Sequence, residues 1–216
     1  MAMFICLEGI HGAGKTSLAL YLRDQLVADL GKVVFSKDQA GTPLSEQVRN
    51  LHLDERTDVD AFTETFLVAG ARRQTYVAVV RPALQMGSSV ITERFVDSFY
   101  AYGFARELPE DFIDVVAKSA CDGKFPDLTL LIDLPPEQSM QRIPEAARHR
   151  IELESMEFHQ KLRAGYLKQA RLNPNRYIIM DGLESIESIR RSALTHIRSF
   201  LKRPIKPEGP APHFGG

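Results

Sequence analysis

Gly9-Ile10-His11-Gly12-Ala13-Gly14-Lys15-Thr16 follows the spacing G-x-x-x-x-G-K-[ST], and its flanks decide the fold. Before it, Met3 to Leu7 is an apolar run that reads as a buried strand. After it, Leu18, Leu22, Leu26 and Leu30 recur at helical spacing up to Gly31, where a helix C-cap belongs. Strand, glycine-rich loop and helix in that order make an anion cradle. Backbone N–H groups converge on a polyphosphate, glycines permit close approach, and the helix N-terminus adds positive potential. On this reading Gly9, His11, Gly12, Ala13, Gly14, Lys15, Thr16 and Ser17 surround the phosphates of ATP, with Lys15 on the β and γ groups and Thr16 on Mg²⁺.

Outward from the loop, Val33 to Lys37, Ser88 to Glu93, Asp127 to Asp133 and Arg176 to Asp181 repeat the short apolar pattern after helical stretches. Asp58 to Met86 reads as one long helix or two, and Asp111 to Cys121, Pro135 to Ile143, Glu154 to Leu172 and Ile186 to Lys202 as further helices. Strands that alternate with helices predict an α/β fold: a three-layer α/β/α sandwich around a five-stranded parallel sheet, with ligands at the carboxyl edge. Pro144 to Arg150 interrupts two helices and carries Arg148 and Arg150, with Arg142 just before it. This suits a short arginine-bearing lid, at about 143–151, that closes over phosphates. One domain over 1–203 is expected, followed by a Pro/Gly-rich tail at 204–216.

Composition narrows the partners. With 27 Lys and Arg against 28 Asp and Glu, the net charge of −1 offers no general attraction to nucleic acid or an anionic membrane, so a small anion is the expected ligand. The sequence has no run of 18 apolar residues and no secretory pattern at its start, which predicts a soluble cytoplasmic protein. Cys6 and Cys121 have neither metal-type spacing nor a disulfide framework and read as unpaired thiols.

Several collinear stretches together resemble the thymidylate kinases. They are Phe4-Ile5-Cys6-Leu7-Glu8-Gly9 leading into the phosphate loop, Gly41-Thr42-Pro43-Leu44, Arg81-Pro82-Ala83-Leu84, Asp97-Ser98 with Ala101-Tyr102, Pro126 to Glu137, and Arg150-Ile151-Glu152 with Gly165-Tyr166-Leu167. The resemblance implies a nucleoside monophosphate kinase fold of the P-loop type. It also implies ATP-dependent phosphorylation of a pyrimidine deoxynucleoside monophosphate, dTMP to dTDP, with Mg²⁺. By the same resemblance Arg72 takes the acceptor's phosphate, Arg94 lies beside the transferred group, and Asp38, Val68, Ser98 and Tyr102 line the acceptor. Arg142 packs on adenine, Glu93 joins Thr16 at the metal, Arg148 or Arg150 acts as an arginine finger beside Lys15 and Arg94, and two chains form a homodimer.

The chain departs from that pattern at defined places. His11 stands where a carboxylate is usual, and near phosphates a histidine tends to be protonated. Glu93-Arg94 replaces Asp-Arg, Lys37-Asp38-Gln39-Ala40 replaces Arg-Glu-Pro-Gly, Val68 replaces the aromatic ring that stacks on thymine, and Gly103 replaces a glutamine. These changes keep alternatives open: a kinase of a modified nucleotide, a deoxynucleoside kinase with Asp38 or Glu93 as general base, or a nucleotide-binding protein without catalysis.

Overall fold

A computed structural model describes residues 2–202; the tail expected at 204–216 lies outside the described residues. Strands β1 (Phe4–Glu8), β2 (Val33–Lys37), β3 (Ser89–Glu93), β4 (Leu128–Asp133) and β5 (Tyr177–Asp181) form one parallel sheet in the order β2-β3-β1-β4-β5. All five lie where the apolar runs place them, to within a residue or two. β1 is buried from end to end, so its alternate side chains feed two cores. Ile5 and Leu7 pack with Leu18 and Leu22 of α1 (Lys15–Gln25), Leu162 and Tyr166 of α9 (Met156–Leu172), and Ala193 of α10 (Ile186–Leu201). Phe4 and Cys6 face Tyr76, Val80 and Ala117 on the other side. These two cores make the three-layer α/β/α sandwich.

The remaining helices are α2 (Val27–Leu30), α3 (Pro43–Leu53), α4 (Ala61–Thr75), α5 (Arg81–Gln85), α6 (Asp97–Ala105), α7 (Glu110–Ala120) and α8 (Pro136–Arg142). The long stretch from Asp58 resolves as α4 running through a π-helical turn, Tyr76–Val80, into α5. Pro82 has no N–H to return to the preceding turn, which accounts for the widened ladder there. The sequence pattern missed two helices. α6 is buried almost all round, from Asp97 through Ala101, so it shows no amphipathic period. α3 announces itself through its cap instead: the Thr42 hydroxyl accepts from Ser45 N at 3.1 Å and Pro43 occupies the first turn.

α9 lies against α6 at Gly165, where a β-carbon would fall 2.8 Å from the Ala101 carbonyl oxygen. The contact carries Tyr166 under the loop that follows β3. Among the described residues no helix is long and apolar enough to cross a membrane. Cys6 and Cys121 are both buried and unpaired with each other.

Candidate active site

β1 and β3 pair with Leu7 opposite Glu93, so the phosphate loop and the loop after β3 leave the sheet side by side. Gly9 has φ 137° and a side chain there would meet the Ile132 carbonyl at 2.5 Å, while Gly12 and Gly14 sit at φ 71° and 87°. The Ser139 hydroxyl of α8 donates to the His11 carbonyl at 2.6 Å and braces the loop. Lys15 donates to the loop's own carbonyls, Gly9 O at 3.0 Å and Ile10 O at 2.7 Å. Burial and the nearby Arg94 bring its pKa down to about 7. Thr16 Oγ1 donates to Glu93 Oε2 at 2.5 Å, and Lys37 Nζ lies 3.3 Å from the same oxygen. Burial works against the charge on Glu93, yet Lys15, Thr16 and Lys37 outweigh it and hold the carboxyl below its ordinary range. A hydroxyl and an ionised carboxylate in contact are hard oxygen donors that fit Mg²⁺.

Arg94, one residue beyond β3, takes φ 63°, rare for a residue with a side chain and found here at the centre of the site. Its NH1 donates to Tyr166 Oη at 2.5 Å and lies 3.8 Å from Glu8 Oε2. Its NH2 is buried with no hydrogen-bond partner among the described residues. Glu8 accepts from Phe95 N and Ser98 Oγ, each at 2.9 Å. Burial raises its pKa while Arg94 opposes the rise. The charge at the end of β3 therefore has its carboxylate partner and still keeps one N–H pair for a ligand.

Asp38, Val68, Arg72, Arg94, Ser98 and Tyr102 all line one cavity, and so do His11 of the phosphate loop and Glu93 at the end of β3. One wall is a stripe of α4: Glu64, Val68 and Arg72, four residues apart and all buried. Arg72 engages Asp38 in a fork, Nε to Oδ1 at 2.8 Å and NH2 to Oδ2 at 2.5 Å, and its Cζ lies 3.9 Å from the Phe99 ring centre. Burial alone would raise the Asp38 pKa, but Arg72 reverses this and the group stays ionised. Of the three Arg72 guanidinium nitrogens, NH1 is the one without a partner among the described residues. Two turns away, about 12 Å along the helix, Glu64 accepts from His52 Nε2 at 2.9 Å, Arg106 Nε at 3.0 Å and Arg150 NH2 at 2.5 Å. Burial again opposes charge on Glu64, and His52, Arg106 and Arg150 together bring its pKa down to about 2.

The lid arginines do not converge. Arg150 Nε also donates to the His52 carbonyl at 2.9 Å, Arg148 NH2 to Met140 O at 3.2 Å, and Arg142 NH2 to Gly182 O at 2.9 Å beside α10. His11 Nδ1 rests against the Glu152 carboxylate, which joins the phosphate loop to the end of the lid. Burial, then Arg94 and Lys15, pull the His11 imidazole well below its usual range, opposite in sense to the protonated ring expected near phosphates. Glu8, His52, Glu64, Arg106 and Tyr166 were not singled out from sequence. Glu8 had a signal, a carboxylate closing an apolar strand, and Glu64 is the first member of the i, i+4 stripe through Val68 to Arg72.

The family model for thymidylate kinase matches residues 7–193. The thymidylate kinase of Thermoanaerobacter sp. (strain X514) is 34% identical over 199 residues, covering 92% of this chain and 98% of that protein. That of Paraburkholderia phytofirmans is 41% identical over 195 residues, 87% and 93% of the two chains. The crystal structure of thymidylate kinase from Ehrlichia chaffeensis superposes with a TM-score of 0.76 at 27% identity, covering 91% of this chain and 98% of that one. A phosphate cradle and an arginine-lined cavity meeting at the end of β3, on a match that spans nearly the whole chain, place this protein in the thymidylate kinase family.

Proposed function

We propose that this nucleoside monophosphate kinase transfers the γ-phosphoryl group of ATP to the 5′-phosphate of a pyrimidine deoxynucleotide, dTMP to dTDP. The observation that carries it is the shared lining: His11 of the phosphate loop, Glu93, which is bonded to Thr16, and Arg94 all line the cavity that holds all six expected acceptor residues. A donor in the cradle and an acceptor in the cavity meet there in line.

The loop from Gly9 to Ser17 holds the ATP phosphates. Lys15 leaves its two carbonyls to meet them, and Arg142, beside Gly182, flanks the adenine. Thr16 and Glu93 would hold Mg²⁺, which when bound neutralises phosphate charge. The acceptor's attacking oxygen is already ionised at neutral pH, since a phosphate monoester's second pKa lies near ~6, so no general base is needed. It forms a bond to the γ-phosphorus as the bond to the β,γ-bridging oxygen breaks, and ADP leaves. Arg94 offers its free NH2 to the transferred group, and Arg72 offers one N–H to the acceptor. Ser98 and Tyr102 line the sugar side. Of the two candidate fingers, Arg148 has fewer bonds to break; Arg150, tied to Glu64 and the His52 carbonyl, anchors the lid. Asp38, locked to Arg72, is poorly placed to act as the base a nucleoside acceptor would require.

ADP release from Mg-ATP, measured over dTMP, dUMP, dCMP, dGMP and their nucleosides, tests the reading: turnover of nucleosides alone overturns it. Lys15→Ala is expected to lower turnover by at least ~10³-fold with the fold intact by circular dichroism. Near-normal transfer by that variant would remove Lys15 from the mechanism. We further propose a single domain ending near 203, a cytoplasmic location, and a homodimer through the exposed aromatic face of α4 and α7, where Phe62 and Phe66 flank Phe112 with ring centres 4.9 and 5.4 Å away.

A further inference from the structure

Between α6, α7 and α9 lies a second recess of about 340 Å³, which shares no lining residue with the acceptor cavity. Small-molecule pockets span roughly 300–1,000 Å³, so this one has room for a compact ligand. Leu108, Ile113 and Leu172 give it apolar walls, and Phe104, 43% exposed, leaves part of an aromatic ring open to a neighbour. Gly103 lets α6 and α7 close the back: a β-carbon there would fall 2.5 Å from Ile113 Cγ1.

Gln169 breaks the apolar pattern. It lines the recess at 5% exposure, and its Oε1 is buried with no hydrogen-bond partner among the described residues. An amide oxygen left unmade costs about 1–3 kcal/mol, a cost that a leucine in the same place would not carry. The oxygen accepts only, so its complement is an N–H or O–H. Charge narrows the ligand further. Lys161, Lys168, Glu107 and Glu110 are the charged lining residues, two of each sign. They are already paired, Lys161 donating to Glu107 at 2.6 Å and Lys168 to Glu110. An ion entering here would have to break one of these pairs, whereas a neutral molecule leaves both intact.

We infer that this recess is a binding site for a neutral, flat heteroaromatic molecule that stacks on Phe104 and donates one N–H to Gln169 Oε1. Its occupancy is felt at the phosphoryl-transfer site. Gln169 stands one turn beyond Tyr166 on α9, and α9 meets α6 backbone to backbone at Gly165 and Ala101. Tyr166 Oη bonds both Arg94 and Ser98. A molecule wedged between the two helices at Gln169 therefore displaces Tyr166 from those partners, because packed helices pass strain on rather than absorb it.

Indole and benzofuran test the site, since they share a shape and differ in carrying a ring N–H or a ring oxygen. Indole is expected to bind about tenfold more tightly than benzofuran, the size of one neutral hydrogen bond. Gln169→Leu should remove that difference. Leu172→Trp, at a position 44% exposed, should fill the recess and weaken indole about tenfold, with thermal melts establishing that both variants fold. In protein labelled with ¹⁵N-glutamine, indole is expected to move the side-chain amide signal that Gln169→Leu lacks. Saturating indole should lower kcat by about fivefold in the unsubstituted enzyme and leave Leu172→Trp unaffected. Equal binding of the two probes, a Gln169 amide indifferent to indole, or unweakened binding by Leu172→Trp would overturn the site. An unchanged kcat with a displaced Gln169 signal would overturn its link to Tyr166. The binding readouts need no turnover, so the site and the proposed reaction can fail separately.

Discussion

Lys15 shows how one side chain can be poised by what it lacks. In the described arrangement it is surrounded by carbonyls and Arg94, and its pKa falls from the ordinary 10.5 to about 7. The sign of the linkage follows. Between those two values the unfolded chain binds the proton and the folded chain does not, so stability rises with pH across roughly that window. Bound polyphosphate restores the positive charge. ATP binding at pH 8 is therefore expected to take up about one proton, read from calorimetry in buffers of different ionisation enthalpy. Lys15→Met should abolish the uptake, and a buffer-independent heat for the unsubstituted protein would show that Lys15 is charged before nucleotide arrives. Residues of this kind were legible in the sequence because the loop pattern fixes their backbone. His52 and Glu64 were not, since their meaning comes from atoms 12 positions apart in the chain that only folding brings to 2.9 Å.

At the scale of elements, the strands were legible because β1, β3 and β4 are short β-rich runs, buried almost from end to end, that end at the loops that carry the site. α6 was not, because a helix buried almost all round, with Phe104 its exposed residue, has no polar face to give it a period. Yet α6 bears Ser98 and Tyr102 and packs on α9, which bears Tyr166, the hydroxyl shared by Arg94 and Ser98. That packing depends on Gly165. Gly165→Ala places a methyl 2.8 to 2.9 Å from Ala101 backbone atoms, which cannot yield as a flexible side chain would. A cost of about 1–3 kcal/mol is expected from the overpacking. kcat should fall with it, because Tyr166 moves relative to Arg94. A chemical-denaturation midpoint and kcat left unchanged would show that α9 has slack the structure does not display.

For the whole molecule, the exposed aromatic face has a stated consequence. Phe66 is 59% exposed and Val115 64%, on α4 and α7. Burying such side chains is worth roughly 1.5–3 kcal/mol each, ample for a dimer that shares several. Sedimentation equilibrium is expected to give a dimer for the natural chain and a monomer for Phe66→Asp; a monomer for both would mean the face is simply solvated. The parallel sheet and its two cores were readable from alternation alone. The quaternary contact was expected from family resemblance, and composition gave no hint of it.

The partition of the molecule about the end of β3 bears on inhibitor selectivity. The cradle from Gly9 to Thr16 keeps its spacing, whereas Gln39, His52 and Val68 line the other half. A compound shaped to the ATP half of related enzymes would find familiar contacts here and discriminate poorly. One built to stack on an aromatic ring in the nucleotide pocket would find Val68 in its place. A scaffold that fills the space beside Val68 would exploit that difference and spare enzymes that carry a ring there.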